Sequence, residues 1–137
     1  MSGVHARVRK PSELEFQKIA LELQVRLTKY VMNDKRVPKK WRYNIGNDII
    51  KTSANMVKHI IAANSSFPID EETLKVRKYH QAQASNACLT LQNQLMVMIQ
   101  CIPSAKPSTL EYIAKLLTKE YDLLGSWKKS TKIINKE

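Results

Sequence analysis

Between Pro38 and Asn64 the chain reads PKKWRYNIGNDIIKTSANMVKHIIAAN, and the reading of this stretch decides the fold. Wound at 3.6 residues per turn, it gathers Ile45, Ile49, Ile50, Met56, Val57, Ile60 and Ile61 on an apolar arc about 160° wide. Lys40, Asn44, Asn47, Lys51, Asn55 and Lys58 stack along the opposite side. This is an amphipathic helix with an unusual outer face. It holds cations and amides but no acid, with Asp48 only at its margin. A solvated helix face usually interleaves Glu with Lys. The omission points to an anionic partner, because Lys neutralises phosphate and Asn bonds sugar or phosphate oxygens.

Overlapping the start of this helix is Lys35-Arg36-Val37-Pro38-Lys39-Lys40-Trp41-Arg42, five cations and a Trp without a carboxylate. Pro38 stands where a helix can begin, since the N–H it lacks would have no intrahelical partner in a first turn. The cations are therefore held at a helix start, where the helix dipole adds positive charge of its own. That crowding costs stability unless an anion compensates, and phosphate suits it. The stretch from Leu23 to Ile69 carries nine cations against two acids, Asp34 and Asp48, in a chain of net charge +11. The expected partner is nucleic acid first, an acidic protein second and a membrane surface third, with a merely basic, solubilising surface as the bland alternative.

Outward from this segment the pattern stays helical. A chain of 137 residues fits one domain with a real core, and three Gly and five Pro are too few for the turns of an all-β fold. The first helix opens on Ser12-Glu13-Leu14-Glu15, a capping box, and carries Phe16, Ile19, Ala20, Leu23, Leu27, Tyr30 and Val31 on one stripe. A second stripe, Leu14, Leu21, Val25 and Met32, predicts cover from outside. The third helix starts near Asp70 with Glu71 and Glu72 in its first turn. From Leu89 to Ile102 it spreads apolar residues around its whole circumference, which predicts burial all round and a subunit interface. The fourth begins with a second capping box, Ser108-Thr109-Leu110-Glu111. Its apolar arc holds Tyr112, Ile113, Leu116, Leu117, Tyr121, Leu123, Leu124 and Trp127, with Glu120 in the middle, expected to bond a Lys or Tyr. The basic tail after Trp127 adds Lys128 and Lys129.

These features predict an all-α, up-down-up-down antiparallel four-helix bundle assembled as a homo-oligomer. The helices are placed at 12–33, 38–64, 70–102 and 108–130, in a domain over 12–134 behind a flexible basic arm over 1–11. The candidate nucleic-acid contacts are Lys35, Arg36, Lys39, Lys40, Arg42, Lys51, Lys58, Lys128 and Lys129.

Catalytic chemistry is not expected. His5, His59 and His80 lack metal-ligand spacing with each other or with the cysteines, carboxylates are missing between Glu72 and Glu111, and no Gly-rich phosphate loop exists. No cofactor or metal is therefore anticipated. Cys88 and Cys101 lie about 20 Å apart along one helix, too far to bridge each other, and read as reduced, small core residues. Residues 1–10 lack the apolar run of a signal peptide and no segment suits a bilayer, so a cytoplasmic protein without a membrane partner is expected.

The run Val37-Pro38-Lys39-Lys40-Trp41-Arg42-Tyr43-Asn44-Ile45-Gly46, followed by the apolar helix to Asn64, resembles the PK-x-x-R-x-x-x-G start of Avd-like four-helix-bundle proteins. These are the accessory variability determinants of diversity-generating retroelements. The closing Leu123-Leu124-Gly125-Ser126-Trp127 is similar to that family's terminal LG-[GS]-W. The resemblance covers roughly Phe16 to Lys129 and implies a non-catalytic partner of a reverse transcriptase. It further implies a five-fold ring or barrel that binds RNA and DNA and supports copying of template RNA into mutated cDNA. By position, Lys39, Lys40 and Arg42 would make polar contacts, Gly46 would permit close packing, and Gly125 and Trp127 would be structural. The charged arm and the amide-rich third helix depart from the family pattern. Four-helix proteins encoded within intervening sequences of ribosomal RNA belong to the same superfamily and give the nearest alternative, and a structural oligomeric scaffold gives another.

Overall fold

Heptad spacing accounts for how the helices meet. In the computed structural model, which describes residues 11–134, every helix turns a narrow seam inward whose buried residues alternate in steps of three and four. Helix α1 is Pro11–Val31. Helix α2 spans 39–65 as three consecutive pieces, an α turn Lys39–Trp41, a π-helical turn Arg42–Gly46 and the α-helix Asn47–Ser65. Helix α3 is Glu71–Cys101, and α4 is Glu111–Ser130 after a 3-10 turn at Pro107–Thr109. Among the described residues there is no strand. The inward seams are Phe16, Ala20, Leu23 and Leu27 on α1, and Ile49, Ser53, Met56, Ile60 and Ala63 on α2. On α3 the seam runs Arg77, Gln81, Ala84, Cys88, Leu91, Leu95, Met98, and on α4 Ile113, Leu117, Glu120, Leu124, Trp127.

Each helix packs on its neighbours in sequence, and α4 closes the bundle against α1. Contacts at the two ends fix the directions. At one end the Tyr30 hydroxyl lies 2.6 Å from Thr109 Oγ1, and Ser104 Oγ donates to the Arg36 carbonyl at 2.7 Å. At the other, the rings of Phe16 and Trp127 stack with centroids 4.3 Å apart, and Ile134 N–H donates to the Pro68 carbonyl at 2.9 Å. The start of α1 thus meets the end of α4, and the end of α1 meets its beginning.

The narrow seams leave several apolar residues on the surface of the single chain, where the expected subunit interface needs them, and one cysteine outside the core. Helix α3 is not buried all round within the chain: Leu89, Met96 and Val97 are exposed, because a heptad seam leaves residues one or two steps away pointing outward. Leu21, Val25 and Met32 on the second stripe of α1 are exposed too, as is Ile61 on α2. Of the two cysteines only Cys88 is a core residue, where its thiol donates to Met56 Sδ at 3.5 Å across the α2–α3 seam; Cys101 is exposed. Burial, with Glu120 nearby, pushes the Cys88 thiol up to about 12.

The caps also differ from those expected. Asp70 caps α3 by accepting from Thr73 N–H at 2.8 Å, and Thr73 Oγ1 accepts from Asp70 N–H at 3.1 Å, a reciprocal box closed by Thr in place of Glu. No box forms at Ser108–Glu111. Thr109 Oγ1 donates to the Lys106 carbonyl at 2.6 Å and meets Tyr30 across the bundle, so α4 starts at Glu111 without a side-chain cap. Helix α1 begins at Pro11, ahead of Ser12, whose side chain lies outside the described residues together with positions 1–10 of the expected arm.

Candidate nucleic-acid interface

Arg42 organises the basic end of the bundle from within. The last carbonyls of a helix have no intrahelical partners. At the end of α1, Arg42 supplies them: Nε donates to the Val31 carbonyl at 3.1 Å and Nη2 to the Met32 carbonyl at 3.4 Å. The same Nη2 donates to the Val37 carbonyl at 3.3 Å and pairs closely with the Asp34 carboxylate. Arg42, expected as a phosphate contact, thus has intrachain partners for its Nε and Nη2 donors. Its guanidinium is mostly covered and its donors hold the α1–α2 turn together.

Gly46 completes the clasp. A Cβ at this position would stand 2.6 Å from Val31 Cγ1, closer than carbon atoms pack, so the π-helical turn can press against α1 only because residue 46 has no side chain. The turn carries one extra residue per helical cycle, its Asn47 N–H reaching the Arg42 carbonyl. Gly125 is different: nothing lies within 4 Å of a Cβ there, so packing inside the chain does not demand glycine. Trp127 is buried, stacked on Phe16 and faced by the Arg77 guanidinium at 5.1 Å.

Around the clasp the remaining cations point outward. Lys35, Lys39 and Lys40 are exposed, and Arg36 is half-buried with its carbonyl tied to Ser104. Among the described residues none of these four makes an ion pair. Lys40 Nζ lies 5.6 Å from the ring centre of the half-buried Trp41. Further along α2, Lys51, Asn55 and Lys58 are exposed in steps of four and three, offset around the helix from Lys40 by the extra residue of the π-helical turn. The structure thus unites Lys35, Arg36, Lys39, Lys40, Lys51 and Lys58 as one end and one edge of the bundle, about 27 Å long from Lys40 to Lys58. Lys106, in the α3–α4 turn tied to Arg36, joins that end; no sequence pattern announces it because the contact bridges distant segments. Lys128 and Lys129 are exposed but stand at the opposite end, in the last turn of α4, about 30 Å away along the bundle.

Two further polar features stand out, the Glu120 that the sequence placed in an apolar arc and a part-buried histidine pair that it did not announce. Glu120 is fully buried on α4 and neither carboxylate oxygen has a hydrogen-bond partner, so the Lys or Tyr expected beside it is absent from its reach. Burial, with the Glu15 charge adding to it, pushes its carboxyl up to about 9, so it is a neutral acid at neutral pH. His59 on α2 and His80 on α3 meet Nδ1 to Nδ1 at 2.9 Å, so one ring must donate its proton to the other. Burial first, then the His80 and Lys58 charges, lowers the pKa of His59. Nothing in the spacing of two residues on separate helices announces such a pair. Among the described residues no group of three or more His, Cys, Asp or Glu converges to hold a metal ion, and no helix is long and apolar enough to cross a membrane.

Comparison with protein families, with curated proteins and with solved structures returns no match for this chain.

Proposed function

We propose that this protein is a non-catalytic, homo-oligomeric nucleic-acid-binding module that serves a reverse transcriptase as an accessory in template-RNA-primed, mutagenic cDNA synthesis. The observation that carries the binding role is the set of exposed cations Lys35, Lys39, Lys40, Lys51 and Lys58 at the start and along the outside of α2, with none of them neutralised by a described carboxylate. Free lysines held by a rigid helix release condensed counterions from a polyphosphate without first breaking ion pairs of their own. Self-association is supported by the uncharged outer face of α3, where Leu89, Met96 and Val97 stand exposed among Asn86, Asn93 and Gln100. It is also supported by the open apolar groove between α1 and α2 lined by Leu21, Val57, Ile61 and Phe67. Ring size and the polymerase partner rest on the motif resemblance alone.

The test is reconstitution. Adding the protein to its cognate reverse transcriptase and template RNA should give a stable complex and raise template-primed product, while the protein alone shows no polymerase or nuclease activity. A Lys39→Gln/Lys40→Gln/Lys51→Gln variant should keep the oligomer and lose most of that stimulation. Full stimulation by the variant, or normal synthesis without the protein, removes the accessory role. Arg42 stays intact in this design because it holds the turn.

A further inference from the structure

Tyr43 has the highest exposure of the large hydrophobic side chains described, 83%, and among the described residues it makes no hydrogen bond and no ring contact. Leaving an aromatic ring in water at the start of a helix forgoes the burial that aromatics normally gain. Its surroundings explain what else it can do. Tyr43 sits in the π-helical turn Arg42–Gly46, a geometry that often marks functional sites. The turn is fixed on one side by the bonds of Arg42 to Val31, Met32 and Val37, and on the other by the close approach of Gly46 to Val31. The ring is thus mounted on a backbone turn braced by these contacts. Lys39 and Lys40, four and three residues earlier on the helix, are exposed beside it. Trp41 does not offer an equal surface, because it is half-buried against the core with the Lys40 ammonium near its ring. Asp48 is the one carboxylate in the α2 sequence, one turn further on, so phosphate is favoured on the lysine side of the ring.

Resting on the nucleic-acid reading above, we propose that Tyr43 is a stacking platform for an unpaired base, and that this end of the bundle selects single strands over duplex. Cations neutralise phosphates of either form, but only an unpaired base has a free face to lay on a ring. Rigid mounting favours this, since little freedom is lost when the base docks. The phenol also leaves the ring tolerant of any base, because stacking needs only a π-face.

Fluorescence anisotropy with oligo(U), oligo(dT) and a mixed-sequence duplex, each about 20 nucleotides long, tests this across a salt series. The native protein should prefer both single strands to the duplex. Tyr43→Ala should weaken single-strand binding about tenfold or more, change duplex binding less than twofold and leave the salt slopes unaltered. Tyr43→Trp should retain the preference, and circular dichroism should show native helix content for both variants. Equal binding to oligo(U) and oligo(dT) shows that the platform reads neither the sugar nor the thymine methyl group, whereas loss of one arm shows that one of these is read as well; both leave the platform standing. Unchanged single-strand binding in Tyr43→Ala, or an equal loss on duplex, overturns the platform while the nucleic-acid role survives. Failure of the native protein to bind any of the three probes overturns that role itself.

Discussion

Helices α2 and α3 lie side by side and share the same kind of inward seam, yet their outer faces are opposites. On α2 the exposed residues include Lys40, Asn44, Lys51, Asn55 and Lys58. On α3, the segment from Gln81 to Cys101 has no charged residue at all, and Leu89, Met96 and Val97 are exposed between amides. An outer face made of unpaired cations repels a second copy of itself and attracts polyphosphate. One made of apolar groups and neutral amides meets no such repulsion. The difference teaches that one bundle can keep two kinds of partner apart by assigning each a helix, while the heptad seams beneath stay alike.

The strongest way to break this comparison is to place a carboxylate on α3. Leu95 is 5% exposed and belongs to the seam, whereas Val97, at 44%, belongs to the outer face. Leu95→Glu should unfold the bundle, since an unpaired buried charge costs several kcal/mol. Val97→Glu should keep full helicity and reduce the light-scattering mass to the 15.8 kDa of a single chain. A native protein that already scatters as 15.8 kDa would strip the α3 face of its assigned role.

The α2 face is tested by charge removal. If about five phosphates are neutralised, log affinity should fall against log salt with a slope near −4 to −5. Replacing Lys39, Lys40, Lys51 and Lys58 with Gln should flatten that slope by about 3 to 4, and an unchanged slope would locate binding elsewhere. Replacing Lys128 and Lys129, at the far end, should alter it less.

Glu120 sharpens the comparison from the inside, on the α4 seam that faces Cys88 of α3. Its carboxyl is raised in the folded state to about 9, above the unfolded value. The native state then binds more protons than the unfolded one across this interval, so stability falls as pH rises from about 4.5 towards 9. By pH 7 the loss reaches roughly 3 kcal/mol. Glu120→Gln should raise the urea midpoint at pH 7 and flatten its decline with pH, and a native stability that climbs between pH 5 and 8 would contradict the buried, unpartnered acid.

The smallest effects separate two glycines. Gly46→Ala should cost about 1 to 3 kcal/mol, because its Cβ meets Val31. Gly125→Ala meets nothing within the chain and should stabilise it by up to about 1 kcal/mol, as Ala does over Gly in a helix. Thermal unfolding distinguishes the two signs. Loss of the oligomer in Gly125→Ala would show that this glycine serves a contact between copies.

The four helices were legible because their apolar residues recur at helical spacing and their loops hold the Pro and Ser that interrupt it. The width of the seams was not. On α3 the inward line starts with Arg77 and Gln81, polar residues that a search for apolar stripes passes over, while Leu89 and Met96 look like core and are not. The lysines of the candidate interface were visible as a charge pattern, but their division between two ends depends on chain reversal. The intrachain role of Arg42 was not legible because its acceptors are chiefly backbone carbonyls, which every residue has and no side-chain pattern reveals. The Ser108–Glu111 box failed for a similar reason, its Thr109 hydroxyl being held by Tyr30 from 79 residues away.

The clasp at Arg42 also bears on the order of folding. Its bonds join residues 5 to 11 positions apart, whereas the side-chain bonds that close the two ends of the bundle span 50 and 79. Shorter loops lose less entropy on closure, so the α1–α2 hairpin is placed to form before α3 and α4 dock. Arg42→Lys should accordingly slow refolding in stopped-flow experiments, and Glu120→Gln should act chiefly on the unfolding rate. The residue that resembles a contact for an outside ligand would then be the one that sets how quickly the molecule becomes able to bind anything.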